Sequence, residues 1–185
     1  NCHVNVLQTQ DHPQFKTYAE ELKWLTTDTT RMTWIANTIK DIATSGNTLI
    51  LVDRISAGQM LEKKIKDSVF VSGSTKNVDR KEQYDEVSTA TNKVIIATYG
   101  VASVGINIPR IFNLVLIEPG KSFVRVIQSI GRGIRKAEDK ENVQIWDITS
   151  SCKFAKRHLG ARKKFYKEAN YPYNIEKVNY ENPYT

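Results

Sequence analysis

Cysteine and histidine are scarce in this 185-residue chain, with two of one and three of the other. Cys2 and Cys152 lie near opposite ends, with no C-x-x-C pair, and His3, His12 and His158 fall at no metal-ligand spacing. That excludes a disulfide framework and a zinc site and reads as a pair of reduced thiols, as in a cytoplasmic protein. None of the three histidines has a nucleophile and an orienting acid arranged around it, so a hydrolytic triad is excluded too. No stretch approaches the roughly 18 consecutive apolar residues of a membrane span. The start, Asn1-Cys2-His3-Val4-Asn5, lacks the basic head and apolar run of a signal peptide, and it lacks Met, as a fragment or processed product does.

A working phosphate loop is missing as well. Gly120-Lys121-Ser122 has the ending of G-x-x-x-x-G-K-[ST], but Val115 stands where the first glycine belongs, so the backbone cannot cradle phosphates. Asp85-Glu86 has the form of a magnesium-holding acidic pair, yet Lys81-Glu82-Gln83-Tyr84 precedes it in place of a buried apolar strand. Gly131-x-Gly133 lacks the third glycine of a dinucleotide fingerprint, since Lys136 takes that place. By itself the chain is expected neither to bind ATP tightly nor to hydrolyse it.

What is present is an ordinary globular composition, 40% apolar and 25% charged, with a net charge of +7 and a pI near 9.3. A basic protein suits a polyanionic partner such as nucleic acid. The charge is concentrated: Lys153, Lys156, Arg157, Arg162, Lys163, Lys164 and Lys167 follow one another with no acid among them. Phe154, Phe165, Tyr166 and Tyr171 interleave with them, either to stack on bases or to pack a helix onto the rest of the protein.

Periodicity divides the chain into three stretches. Over 1–45, helices are predicted from Phe15 to Leu25 and around Met32, Ile35, Ile39 and Ile42, the second capped by Thr29 or Thr30 and ended by Gly46. Over 46–150, short apolar runs at 48–52, 68–71, 94–97, 113–117 and 143–148 alternate with helical patterns at 56–66, 79–89 and 123–136. Such alternation implies β-α-β units and a parallel sheet covered on both faces. Over 151–185, Lys153 to Glu168 suits a basic helix, ended by Tyr171-Pro172-Tyr173, and the rest reads as a loose end or a docking segment.

Two segments carry chemistry. Gln128-Ser129-Ile130-Gly131-Arg132-Gly133-Ile134-Arg135 puts two arginines three apart, on one face if helical. Two guanidinium groups so placed suit the charge of a transferring phosphoryl group, or simply a solvated helix surface. Thr98 ends a buried strand and is followed by a small-residue turn and Gly105-Ile106-Asn107-Ile108-Pro109. Ligands of open α/β sheets bind at the carboxyl ends of strands, so Thr98 and Gly105 sit where a phosphate or nucleotide would approach.

The strand at 48–52, the Gly-Ile-Asn-x-Pro turn and the Gln-x-x-Gly-Arg-x-x-Arg helix occur in the order and spacing of motifs IV, V and VI of superfamily 2 helicases. From about Thr48 to Ile148 the chain resembles the second RecA-like domain of that superfamily. The resemblance implies a three-layer α/β domain with a mostly parallel sheet, extended by the basic helical tail. It implies that Arg132 and Arg135 are arginine fingers for an ATP which, with Mg2+, is held mainly by an N-terminal RecA-like domain. Gln128 would couple the nucleotide to the interdomain contact. Gly105 and Asn107 would face the ribose or the cleft; an amide stands at 107 where many relatives carry an acid. Thr98, Arg54, Ser72, Gly73 and Arg80 match contacts to a nucleic-acid backbone. Overall similarity to phage recombination helicases further implies branched DNA as substrate and the cytoplasm of an infected host. An RNA helicase, a restriction-type translocase and a non-catalytic nucleic-acid-binding module stay open.

Overall fold

The computed structural model describes residues 2–71, 92–103, 111–120, 123–134 and 143–181. Seven strands form one sheet: β1 (Cys2–Thr9), β2 (Thr48–Val52), β3 (Val69–Val71), β4 (Val94–Thr98), β5 (Asn113–Ile117), β6 (Val143–Ser150) and β7 (Tyr173–Val178). Among the described residues six helices accompany them: α1 (Tyr18–Leu25), α2 (Thr29–Ala43), α3 (Ile55–Lys64), α4 (Tyr99–Ser103), α5 (Phe123–Ile134) and α6 (Lys153–Glu168). The strand order is β3-β4-β2-β5-β6-β1-β7, and every pairing is parallel.

β2 and β5 are buried at all five positions, as their unbroken apolar runs predict for strands covered on both faces. On one face Leu49, Leu51, Ile95, Leu114 and Leu116 pack against α4, α5 and α6. On the other, Ile50, Val52, Ile96, Val115 and Ile117 meet Met32, Ile35 and Ile39 of α2 and Ala57 and Leu61 of α3. The result is the three-layer α/β architecture that the alternation of elements predicts.

Several local details differ from the sequence reading. Asp28, not Thr29 or Thr30, caps α2: its carboxylate accepts the Arg31 amide at 3.0 Å, and Thr29 becomes the first helical residue. Gly46 follows α2 with φ of 154°, and a Cβ there would lie 2.9 Å from the Phe112 ring. Gly58 of α3 allows the Phe70 ring of β3 to lie where a Cβ would come within 2.4 Å of it. The predicted helix at 79–89 lies outside the described residues.

The two ends of the chain hold strands that hydrophobic patterning does not reveal. β1 inserts between β6 and β7, with Val4 and Val6 fully buried. β7 is a mostly exposed edge strand that pairs along β1 from Val4↔Tyr173 to Thr9↔Val178, so this part of the stretch expected to be a loose end or a docking segment joins the sheet. The single sheet thus draws strands from all three stretches of the chain.

Candidate nucleotide and nucleic-acid interface

The carboxyl edge of the sheet gathers the groups that can do chemistry. Val52 of β2 pairs in register with Thr98 of β4, so Asp53 and Arg54 emerge beside Thr98. The Thr98 hydroxyl accepts the Val101 amide at 3.2 Å and so caps α4. Its own O–H remains available to donate to a phosphate oxygen. Arg54 is half-exposed and meets Asp53 at 3.9 Å, a surface pair of little strength that leaves the guanidinium open to a stronger anion.

β5 ends beside β2, and its exit leads into α5. Phe123, Val126 and Ile127 bury one side of α5 against the sheet, while Arg125 and Gln128 are exposed. The helical backbone continues through Ile134, so position 132 follows Gln128 by about one turn. The Arg132 side chain and all of Ser72, Gly73, Arg80, Gly105, Asn107 and Arg135 lie outside the described residues. So do Lys121, Ser122, Asp85 and Glu86. Of the candidate site residues, the structure therefore brings together Thr98 and Arg54, with exposed Gln128 on the helix that leaves the neighbouring strand.

Two buried arginines, neither of them a candidate site residue by sequence, hold the turn from which α5 departs. Arg31 of α2 is wholly buried and donates to Leu25 O at 2.6 Å, Thr9 Oγ1 at 3.1 Å, Thr149 O at 3.1 Å and the Glu118 carboxylate. Glu118, at the exit of β5, has φ of 45° and also accepts the Thr149 hydroxyl at 3.3 Å. Burial raises its carboxyl pKa, and the charge of Arg31 opposes that rise. Arg162 of α6 grips both oxygens of Asp147, at 2.8 and 3.0 Å, and donates to Pro119 O at 2.7 Å. Burial pulls the Arg162 pKa down, but Asp147 more than offsets it, so the group is held firmly charged.

Asp147 also accepts the Tyr166 hydroxyl at 2.7 Å, and its charge adds to burial in pushing that phenol's pKa up. Tyr99, at the start of α4, donates to Ile117 O at 2.9 Å and ties that helix to the exit of β5. By sequence Arg162 reads as part of the basic surface; with 1% exposure it belongs to the core. Phe165 and Tyr171 are half-buried and Tyr166 fully buried against the core, so these aromatics pack and do not offer open stacking faces. Among the described residues no group of three His, Cys, Asp or Glu side chains converges to hold a metal ion. Nor, among them, is any helix long and apolar enough to cross a membrane.

A parallel α/β sheet with Thr98 and Arg54 at its carboxyl edge agrees with the class that the family comparison defines: residues 30–137 match the helicase conserved C-terminal domain, and the chain belongs to that family. It is similar to the ATP-dependent DNA helicase uvsW of Enterobacteria phage T4, 31% identical over 155 residues that make up 81% of this chain and 31% of that protein. It is also 31% identical over 104 residues to putative helicase 22 of a Sulfolobus islandicus filamentous virus, covering 54% of this chain and 18% of that protein. The chain thus spans less than a third of the length of these curated relatives. The crystal structure of T4 UvsW superposes with a TM-score of 0.82 at 24% identity, covering 97% of this chain and 42% of that one. The C-terminal domain of the DEAD-box protein Dbp5 follows with 0.62 at 20% identity, covering 95% and 90%. Both establish a RecA-like helicase fold.

Proposed function

We propose that this chain is the second motor domain of an ATP-dependent DNA helicase or translocase acting on branched DNA in recombination, repair and replication. The relative named as an ATP-dependent DNA helicase supports the class of reaction. The observation that carries the reading is a matter of register. Thr98, Arg54 and the exit toward α5 share one carboxyl edge, which supports a reading in which candidate backbone contacts and the helix bearing Gln128 belong to one sheet.

In this reading ATP and Mg2+ are held mainly by an N-terminal RecA-like domain, and the cleft between the two domains encloses the triphosphate. Positions 128, 132 and 135 share a face when the helix is continued. On closure, Arg132 and Arg135 meet the γ-phosphate and neutralise charge as the phosphoryl group transfers. Gln128 couples the nucleotide to the interdomain contact, and Gly105 and Asn107 serve the ribose or the interdomain cleft. Thr98, Arg54, Ser72, Gly73 and Arg80 grip the sugar–phosphate backbone, so closure and reopening move the domain along a strand. Forks, Holliday junctions and R-loops are the substrates, handled by unwinding, branch migration or annealing in the cytoplasm of an infected bacterial host.

The test is ATP hydrolysis by the intact two-domain protein with branched DNA, single-stranded DNA and RNA compared as stimulators. Branched DNA is expected to stimulate most. Arg135→Ala is expected to lower kcat by about 10³-fold or more, the scale of arginine fingers elsewhere, while nucleotide affinity changes little. An unchanged ATPase rate in Arg135→Ala would sink the assignment, and stimulation by RNA alone would reassign the substrate.

A further inference from the structure

α6 buries Ala155, Leu159, Arg162 and Tyr166 against the sheet. Its outward side is dominated by cations. At 3.6 residues per turn, exposed Lys153, Lys156, Arg157, Gly160, Lys164 and Lys167 fall in one stripe about 100° wide and about 21 Å long. The only acid of the helix is Glu168, its last residue. None of the five cations forms an ion pair with a described residue. Lys153 and Arg157 lie over the Phe154 ring, 5.4 and 5.5 Å from its centroid, which steadies them on the surface. At the first turn of the helix, Lys16, Lys153 and Lys156 line an open cleft of about 700 Å3 that also has Asp11 in its wall.

Gly160 stands in the middle of this stripe. A Cβ there would meet nothing within 4 Å, so no packing inside the protein calls for glycine. Helix propensity argues against it, because glycine is among the poorest residues for a helix interior. An outside partner lying on the helix would supply a reason. A bare backbone with cations on both sides lets another polymer lie directly on the helix.

We propose that this stripe is a track for the phosphate backbone of a nucleic-acid duplex, separate from the contacts at the sheet edge, with Gly160 at the point of closest approach. Charge complementarity selects a polyanion. Its length of about 21 Å matches the axial span of about six phosphates of one strand. Duplex is favoured over single strand because the aromatics of α6 are engaged elsewhere. Phe165 and Tyr166 pack on Phe123, and Phe154 lies under its cations beside Tyr18, so nothing on the stripe is left to stack on unpaired bases.

The experiment is fluorescence anisotropy of the 185-residue chain with a labelled duplex of about 20 base pairs and the matching single strand, over a range of salt. Replacing Lys153, Lys156 and Lys164 together by alanine is expected to weaken duplex binding at least about tenfold. It should also flatten the dependence of log K on log salt by roughly 2 to 3, about 0.9 for each phosphate no longer neutralised. Gly160→Leu, which keeps every charge, is expected to weaken duplex binding several-fold while raising Tm. An unchanged salt slope in the triple variant, or wild-type duplex affinity in Gly160→Leu, overturns the proposal. Equal losses for duplex, single strand and a polyglutamate competitor would also overturn it, by showing a general acidic-partner surface. None of these readouts involves ATP hydrolysis, so they fail or succeed apart from the arginine-finger assignment.

Discussion

Arg31→Met separates the contribution of a buried charge from that of the hydrophobic sheet around it. Methionine fills much of the arginine stem but donates nothing. The substitution removes hydrogen bonds to Thr9, Leu25, Thr149 and Glu118 at a site with no exposed surface. Breaking a buried ion pair by deleting one partner costs about 3–5 kcal/mol, because the other charge is left without compensation. Total stability is only about 5–15 kcal/mol, so the variant should stay folded but weakened, with Tm lower by about 6–20 °C.

The loss has a pH signature. Burial already raises the Glu118 carboxyl pKa, and Arg31 is the leading influence holding it down. Without Arg31 the folded carboxyl keeps its proton to higher pH than the unfolded one. The penalty is therefore smallest below the unfolded carboxyl pKa and grows as pH rises through the folded value. Adding Glu118→Gln removes the nearer of the two carboxylates, Glu118 and Asp11, that pair with Arg31, and should recover part of the loss, the coupling expected of residues in contact. Urea denaturation of the single and double variants, followed by circular dichroism at acid and neutral pH, measures all of this. A loss below about 1 kcal/mol, the range of exposed pairs, would refute the reasoning. So would a penalty that ignores pH, or no recovery on adding Glu118→Gln.

Near the start of α6 two more outcomes can be measured. Cys152 precedes α6 without a side-chain cap; instead the Glu21 carboxylate of α1 accepts the Phe154 and Ala155 amides at 2.9 and 2.8 Å. Glu21→Gln keeps the shape but removes the charge at the helix N-terminus, and should cost about 1–2 kcal/mol, read as a Tm lower by about 2–8 °C. An unchanged Tm would show that the helix needs no such cap. Burial also pushes the Cys152 thiol up to about 11. In a Cys2→Ser chain its alkylation should be at least about 100-fold slower at neutral pH than in the urea-unfolded chain. It should then speed up about tenfold per pH unit until near the thiol pKa. Labelling at the unfolded rate would refute the buried, protonated thiol.

The parts of this fold that are legible in the sequence are those governed by one-dimensional hydrophobic patterning. β2 and β5 are unbroken apolar runs, and the basic pattern delimits α6 from Lys153 to Glu168. β1 escapes because its polar residues face neighbours as often as solvent: Asn5 donates to Gln144 Oε1 at 3.0 Å inside the sheet. β7 escapes for the opposite reason, since an edge strand held by backbone pairing has no apolar face to show. The buried arginines have a visible signal. Arg31 lies on the stripe of Ile35, Ile39 and Ile42, and Arg162 on that of Ala155, Leu159 and Tyr166. A charged residue on an apolar helical stripe calls for a buried partner, and only the fold can say which carboxylate answers.

The origins of those partners predict that the motif-bearing stretch would be weakened if it were cut out alone. Glu118 and Asp147 both come from 46–150, and both lie under 7% exposed. Their arginines come from outside it, Arg31 from the first helical pair and Arg162 from the basic helix. Cut at 46 and 150, that stretch would keep two carboxylates placed for burial and lose both cations that make burial tolerable. It would also lose β1, which covers the open side of β6. Both arginines converge on Glu118-Pro119, the turn through which β5 leads into α5. The direction in which α5 leaves the sheet is therefore set by residues from both ends of the chain, and any chemistry performed by that helix inherits its precision from them.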